Sequence, residues 1–229
     1  MPDFQGFSPE ALQFLAEIRI HNSKAWYDAN KPRYLNCLLA PFQALVGDLS
    51  DAMLAIDPGF ITIPAVDKTI SRIYRDTRFS KDKSLYRDNM WLSFKKPIGD
   101  WKEAPVFFFE MTPAGYRYGM GFYSASKEFM DRFRSRLREK PEQFLETVSF
   151  LDGGSPFTVG GERYKKILNP DLPPALQEWC QYKSFYVACN HPVDELLFSQ
   201  RLAAVIRADF AILTPLYHYL LAIKNQMPA

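Results

Sequence analysis

The sequence predicts an α+β fold in one domain: a central, mostly antiparallel sheet flanked by N- and C-terminal helices. Three observations carry the prediction. Apolar residues recur at helical spacing up to Asp57 and again after Ser124, while the stretch between them reads as short strand-like segments. Turn chemistry at Pro113-Ala114-Gly115 joins two of those segments as antiparallel neighbours. No Ser/Gly linker and no shift in composition divides the 229 residues, so 1–229 is read as a single domain.

The elements follow in order. Ser8 caps a first helix with Pro9 at its first position and Leu12, Leu15 and Ile18 as its apolar stripe. Asn22 or Ser23 caps a second, short helix that carries Trp26 and Tyr27, and a third starts near Pro32. Leu35, Leu38, Leu39, Phe42, Leu45, Leu49 and Met53 keep helical spacing through that third helix, with a kink or split expected at Pro41. The segments 69–75, 90–94, 105–112 and 116–123 read as strands. The third is expected to be buried on both faces, because Phe107, Phe108 and Phe109 run together. Gly119 and Gly121 mark a bulge, or a close approach by another backbone or a ligand. Ser124 or Ser126 caps a helix with Phe129, Phe133 and Leu137 inward, and a helix opened by Pro141, a helical turn with Trp179 and a strand at 184–189 follow. Two last helices are expected at about 193–208 and 214–223.

Bulk properties exclude whole classes. A 47% hydrophobic and 24% charged chain is globular rather than disordered, and 15% aromatics supply a sizeable core. No apolar run reaches the roughly 18 residues of a membrane span, and no signal peptide is visible at the start, so no membrane partner is expected. Cys37, Cys180 and Cys189 form no CxxC pair, which argues against a disulfide framework or a thiolate zinc site and for the reducing cytoplasm. His21, His191 and His218 lack metal-ligand spacing, and the usual phosphate cradles and nucleophile elbow are missing. The reading is therefore no metal and no cofactor.

One constellation stands out. Arg72, Arg75, Arg78, Lys81, Lys83 and Arg87 lie within a 16-residue block that follows a predicted strand. Arginine suits phosphate or carboxylate because its planar fork meets two oxygens, and lysine adds a point charge. Asp76 and Asp82 either orient these cations or neutralise them. Phe79 and Tyr86 either fix the loop to the core or offer a stacking face, with Trp26 as a second wall. The competing reading is a salt-bridge network that pins a long loop. A second basic segment, Lys127–Lys140, reads as a solvated helical face.

These residues also carry a resemblance. The chain resembles a widespread family of conserved uncharacterised proteins, a domain of unknown function whose hallmark is Ile-Ser-Arg-Ile-x-Arg-Asp-x-Arg-Phe-Ser-Lys-Asp-Lys-x-Pro-Tyr-Lys. Here the block spans Ile70 to Arg87, with Leu85 where proline is usual and Arg87 where lysine is usual. Phe7, Leu12, Leu15, Asn22, Trp26, Tyr27, Asn30 and Lys31 look like the family's opening element, with Tyr27 where phenylalanine is common. Gly119-Met120-Gly121, the arginine-rich helix after it and Tyr182-Lys183-Ser184 also fit. The resemblance spans nearly the whole chain and implies a single-domain member, but it assigns no catalytic residue.

The leading functional expectation is a site for a small anionic, phosphorylated ligand on Arg72, Arg75, Asp76, Arg78, Lys81, Asp82, Lys83, Tyr86 and Trp26. An enzymatic version would use Asp76 or Asp82 as general base, or Arg78 to stabilise developing charge. Two other classes stand beside it, a nucleic-acid binder and a protein-interaction module. The net charge of +2 argues against extensive phosphate neutralisation, so nucleic acid is not favoured.

Overall fold

The computed structural model describes residues 3–78, 81–97 and 104–226. Two compact units make up the chain: residues 1–94, 108–118 and 191–208 in the first, and 95–107, 119–190 and 209–229 in the second. The fold is α+β with helices towards both ends and a five-stranded antiparallel sheet.

Helix α1 (Pro9–Ile20) buries Ala11, Phe14, Leu15 and Ile18, and Ser8 stands at its N-cap without a side-chain capping bond. Helix α2 (Lys24–Arg33) is capped by Ser23, whose hydroxyl accepts the Trp26 N–H at 3.3 Å. Pro32 opens no new helix. It lies in the last turn of α2, which runs on through a π-helical segment (Tyr34–Leu39) into α3 (Ala40–Ile56). The wide turn falls between Pro32 and Pro41, where missing N–H donors interrupt the regular ladder, and so the helix continues where a break was expected. Contrary to the expectation from apolar runs, the stretch Lys24–Ile56 reaches the length and composition of a membrane crossing, with 33 residues and a window of mean hydropathy 1.2. Its apolar stripe, including Tyr34, Leu38, Phe42, Leu45 and Leu49, is buried within the first unit, as a core helix requires.

The expected strand at 69–75 is extended chain that forms only isolated bridges, Ile70 to Leu92 and Tyr74 to Tyr86. Strand β1 (Met90–Phe94) is as expected. Strand β2 (Val106–Thr112) corrects the reading of a doubly buried strand: Phe107, Phe109 and Met111 are buried, whereas Phe108 and Glu110 are half-buried. The run of three Phe hides the ordinary two-residue alternation of an antiparallel strand. Strand β3 (Gly115–Gly121) returns from β2 through a two-residue turn. Within the second unit, a Cβ on Gly119 would stand 2.0 Å from the Val187 carbonyl oxygen, and one on Gly121 would stand 2.4 Å from the Tyr186 Cα. The two glycines therefore answer to a neighbouring backbone, one of the two alternatives open from sequence.

Helices α4 (Lys127–Glu139) and α5 (Pro141–Thr147) precede strand β4 (Phe157–Arg163), helix α6 (Pro174–Cys180) and strand β5 (Tyr182–Pro192). The sheet order is β1-β2-β3-β5-β4, with Phe157 opposite Cys189 and Glu162 opposite Ser184. Helix α7 (Arg201–Asn225) is one helix where two were expected, with Pro215 inside it. The Thr214 hydroxyl donates to the Phe210 carbonyl at 2.9 Å in the turn before that proline. Aromatic packing fills each unit. Phe7 stacks on Phe109 at 5.5 Å in the first, and Phe144 meets Trp179 edge-on at 5.0 Å in the second.

Candidate functional site

The charged block is a hairpin grown from the edge of β1. Ser71 N–H donates to the Trp91 carbonyl and Ser93 N–H to the Thr69 carbonyl, each at 2.8 Å, so 69–71 runs alongside β1. Farther out, Arg75 N–H donates to the Leu85 carbonyl and Arg87 N–H to the Ile73 carbonyl, again at 2.8 Å. Ile70 and Ile73 are both 2% exposed, so the apolar positions of the block anchor it and send its polar positions outward. Phe79 lies outside the described residues.

Asn22 holds the hairpin in place. Its side-chain amide donates to the Tyr86 carbonyl and its side-chain oxygen accepts the Tyr86 N–H, both at 3.0 Å. The same amide donates to the Ile18 carbonyl at 3.1 Å, fixing the clamp to the end of α1. A primary amide presents one donor and one acceptor side by side, so it pairs with an extended residue as a neighbouring strand would. Tyr86 is 1% exposed, stacks on Tyr27 at 4.7 Å and meets Tyr74 at a tilt at 4.8 Å. Burial, before the neighbouring tyrosine, raises the Tyr86 phenol well above its ordinary range. Tyr86 is thus an anchor in the core and does not present a ligand wall. Trp26 stacks on His21 at 5.7 Å and meets Phe14 at 5.5 Å; the residue of α2 that meets Tyr86 is Tyr27.

The cations of the hairpin divide by partner. Arg72 pairs with Asp67, outside the block. Arg75, with a side chain 19% exposed, spans the loop to Asp82 at 3.1 Å and to the Ser84 hydroxyl at 3.1 Å. Asp82 also accepts the Ser84 N–H at 2.9 Å. Ser84, then Arg75, holds the Asp82 carboxyl below the usual carboxylate range. Arg78 grips Asp76 in a fork, Nε to Oδ1 at 3.0 Å and Nη2 to Oδ2 at 2.8 Å, and its own N–H reaches Oδ1 at 3.2 Å. Lys83 donates to the Thr77 carbonyl at 2.8 Å, and Lys81 forms no ion pair among the described residues. The arrangement can present oxyanion-binding groups on the end of a hydrogen-bonded hairpin. It can also brace the loop by itself.

The second basic segment presents the solvated helical face expected of it, with Arg134 as the exception. Arg134 is 4% exposed and donates from Nε to the Cys180 carbonyl at 3.0 Å and from Nη2 to the Tyr182 carbonyl at 2.7 Å. It ties α4 to the junction of α6 and β5. Lys127, Glu128, Asp131, Arg132 and Ser135 line a shallow, open hollow in which Lys127 pairs with Asp131 and Arg132 with Glu128.

Sequence reasoning missed a network on the sheet. Arg117 donates from Nε to Glu110 Oε2 at 2.6 Å, and Asn89 donates to Glu110 Oε1 at 2.6 Å. A signal existed: the two-residue turn sets Glu110 opposite Arg117, and Glu110 is the one charge in its strand. Among the described residues no group of three His, Cys, Asp or Glu side chains is placed to hold a metal, and the three cysteines are free.

No curated protein matches the chain. A family model described as a conserved hypothetical protein family, DUF2461, matches residues 10–219 of the 229, from within α1 to within α7. The match takes in the Asn22 clamp, the charged hairpin, the glycine strand and the buried Arg134, and the chain belongs to this family.

Proposed function

We propose that the tip of the hairpin binds a small phosphorylated anion, with Arg78, Lys81 and Lys83 as the contacting cations and Arg72 at the flank. One observation carries the reading. Residues 67–87 hold seven cations and three carboxylates, each carboxylate is matched to one arginine, and of the remaining cations Lys81 and Lys83 are exposed in the loop beside Arg78. Arg75 is a strut rather than a contact, because Asp82 and Ser84 hold it largely buried.

Binding is favoured over proton-transfer chemistry at this loop. Arg78, through its guanidinium and then its backbone N–H, holds the Asp76 carboxyl at about 2. A carboxylate so stabilised is a weak general base near neutrality. Three free cysteines, two of them buried, accord with a reducing, cytoplasmic setting.

The test is calorimetric titration with inorganic phosphate, phosphoserine, a nucleoside monophosphate and a short single-stranded oligonucleotide. The R78A/K81A/K83A variant should keep its unliganded melting temperature and lose phosphate-monoester binding. Binding that survives in this variant overturns the reading, and retention of the oligonucleotide alone transfers the site to nucleic acid.

A further inference from the structure

Within that reading of the hairpin as an anion site, we propose that the Asp76 carboxylate is its resident occupant, and that ligand binding is an exchange in which an incoming phosphate displaces Asp76 from Arg78. The proposal rests on the reading above but has its own geometry. Asp76 folds back over its own loop and receives two guanidinium N–H groups and one backbone N–H, all from Arg78, at 2.8 to 3.2 Å. A parallel pair of N–H donors from one arginine is the arrangement that two oxygens of a phosphate also accept.

Other cations address the same carboxylate. Arg87 attracts it through space after Arg78, and the Arg72 guanidinium feels it as well. The contact itself is made by Arg78, while Arg72 is paired with Asp67.

Exchange is feasible because the pair is open to water. The Asp76 and Arg78 side chains are 50% and 77% exposed, so water reaches both, and exposed pairs of this kind contribute little to folding. The contrast is Arg75, whose side chain is 19% exposed and whose release would undo the loop. A phosphate monoester carries between about −1.5 and −2 charges near neutrality and offers three acceptor oxygens, against one charge and two oxygens for the carboxylate. The fork that suits Asp76 therefore suits the phosphate better.

The experiment is D76N, with inorganic phosphate as the probe, followed by calorimetry and by the NMR shift of the Arg78 Nε–H. Removal of the competing charge should tighten phosphate binding about fivefold or more, the order expected when one unit charge at contact distance in water is removed. D76N/R78A should abolish binding, and D76A should behave as D76N, which separates loss of the charge from any new contact made by the amide. Affinity in D76N equal to or weaker than wild type, with wild-type binding still lost in R78A, overturns the exchange and leaves the anion site standing. An absence of phosphate binding in both wild type and D76N removes the two together.

Discussion

Replacement of Asn22 by alanine removes a clamp whose worth can be worked from three contacts. The side chain makes hydrogen bonds of 3.0, 3.0 and 3.1 Å to Tyr86 O, Tyr86 N and Ile18 O. Each is a bond to a neutral backbone group, contributing about 0.5–1.5 kcal/mol net. Tyr86 is 1% exposed, so the alanine leaves its N–H and carbonyl with poor access to water, which puts the loss at the upper end. A total of about 2–4 kcal/mol follows, or a fall in Tm of roughly 5–12 °C for a chain of this length. Urea unfolding monitored by Trp fluorescence measures the total. Hydrogen exchange supplies the location: the amides of Tyr86, Arg75 and Arg87 should lose protection together, since all three belong to the hairpin arms. N22D should not rescue, because it keeps the acceptor for Tyr86 N–H but turns a carboxylate towards two carbonyl oxygens. A loss below 0.5 kcal/mol, or unchanged protection at those amides, refutes the clamp.

Two further predictions concern the second unit. R134A should cost about 3–5 kcal/mol, and R134K should recover less than half of it: one ammonium cannot reproduce the fork that reaches the Cys180 and Tyr182 carbonyls. Chemical denaturation of the three proteins is the check, and a neutral R134A would mean that Arg134 is merely accommodated. G119A should cost about 3 kcal/mol, because its methyl would meet the Val187 carbonyl oxygen and Ala188 Cα, backbone atoms that cannot rotate aside. A soluble G119A with wild-type stability would show that the two strands can part without penalty.

The residues of the hairpin show how far sequence reasoning reaches. The cations of 72–87, their two carboxylates and their place after an extended segment are local facts, readable in order. That Asp76 goes to Arg78 is also nearly local, because two residues of chain hold the partners within reach. The separation of Arg75 as strut from Arg78 as exposed fork is not readable, because it depends on how the loop closes over Asp82 and Ser84. Residue type alone offers Tyr86 and Trp26 as walls. Packing sends Tyr86 into the core against Tyr27 and turns Trp26 onto His21.

By itself the sequence determined the class of fold, the order of most elements and the block where charge gathers. Periodicity, turn chemistry and charge are properties of neighbours along the chain. Tertiary structure decided what distant residues do to one another. It made one helix of Arg201–Asn225, buried Arg134 among carbonyls 46 and 48 residues away, and carried Asn22 across 64 residues to Tyr86. Those outcomes depend on burial and on the backbone groups that burial leaves to be satisfied, and no local pattern encodes which distant carbonyl will need a donor.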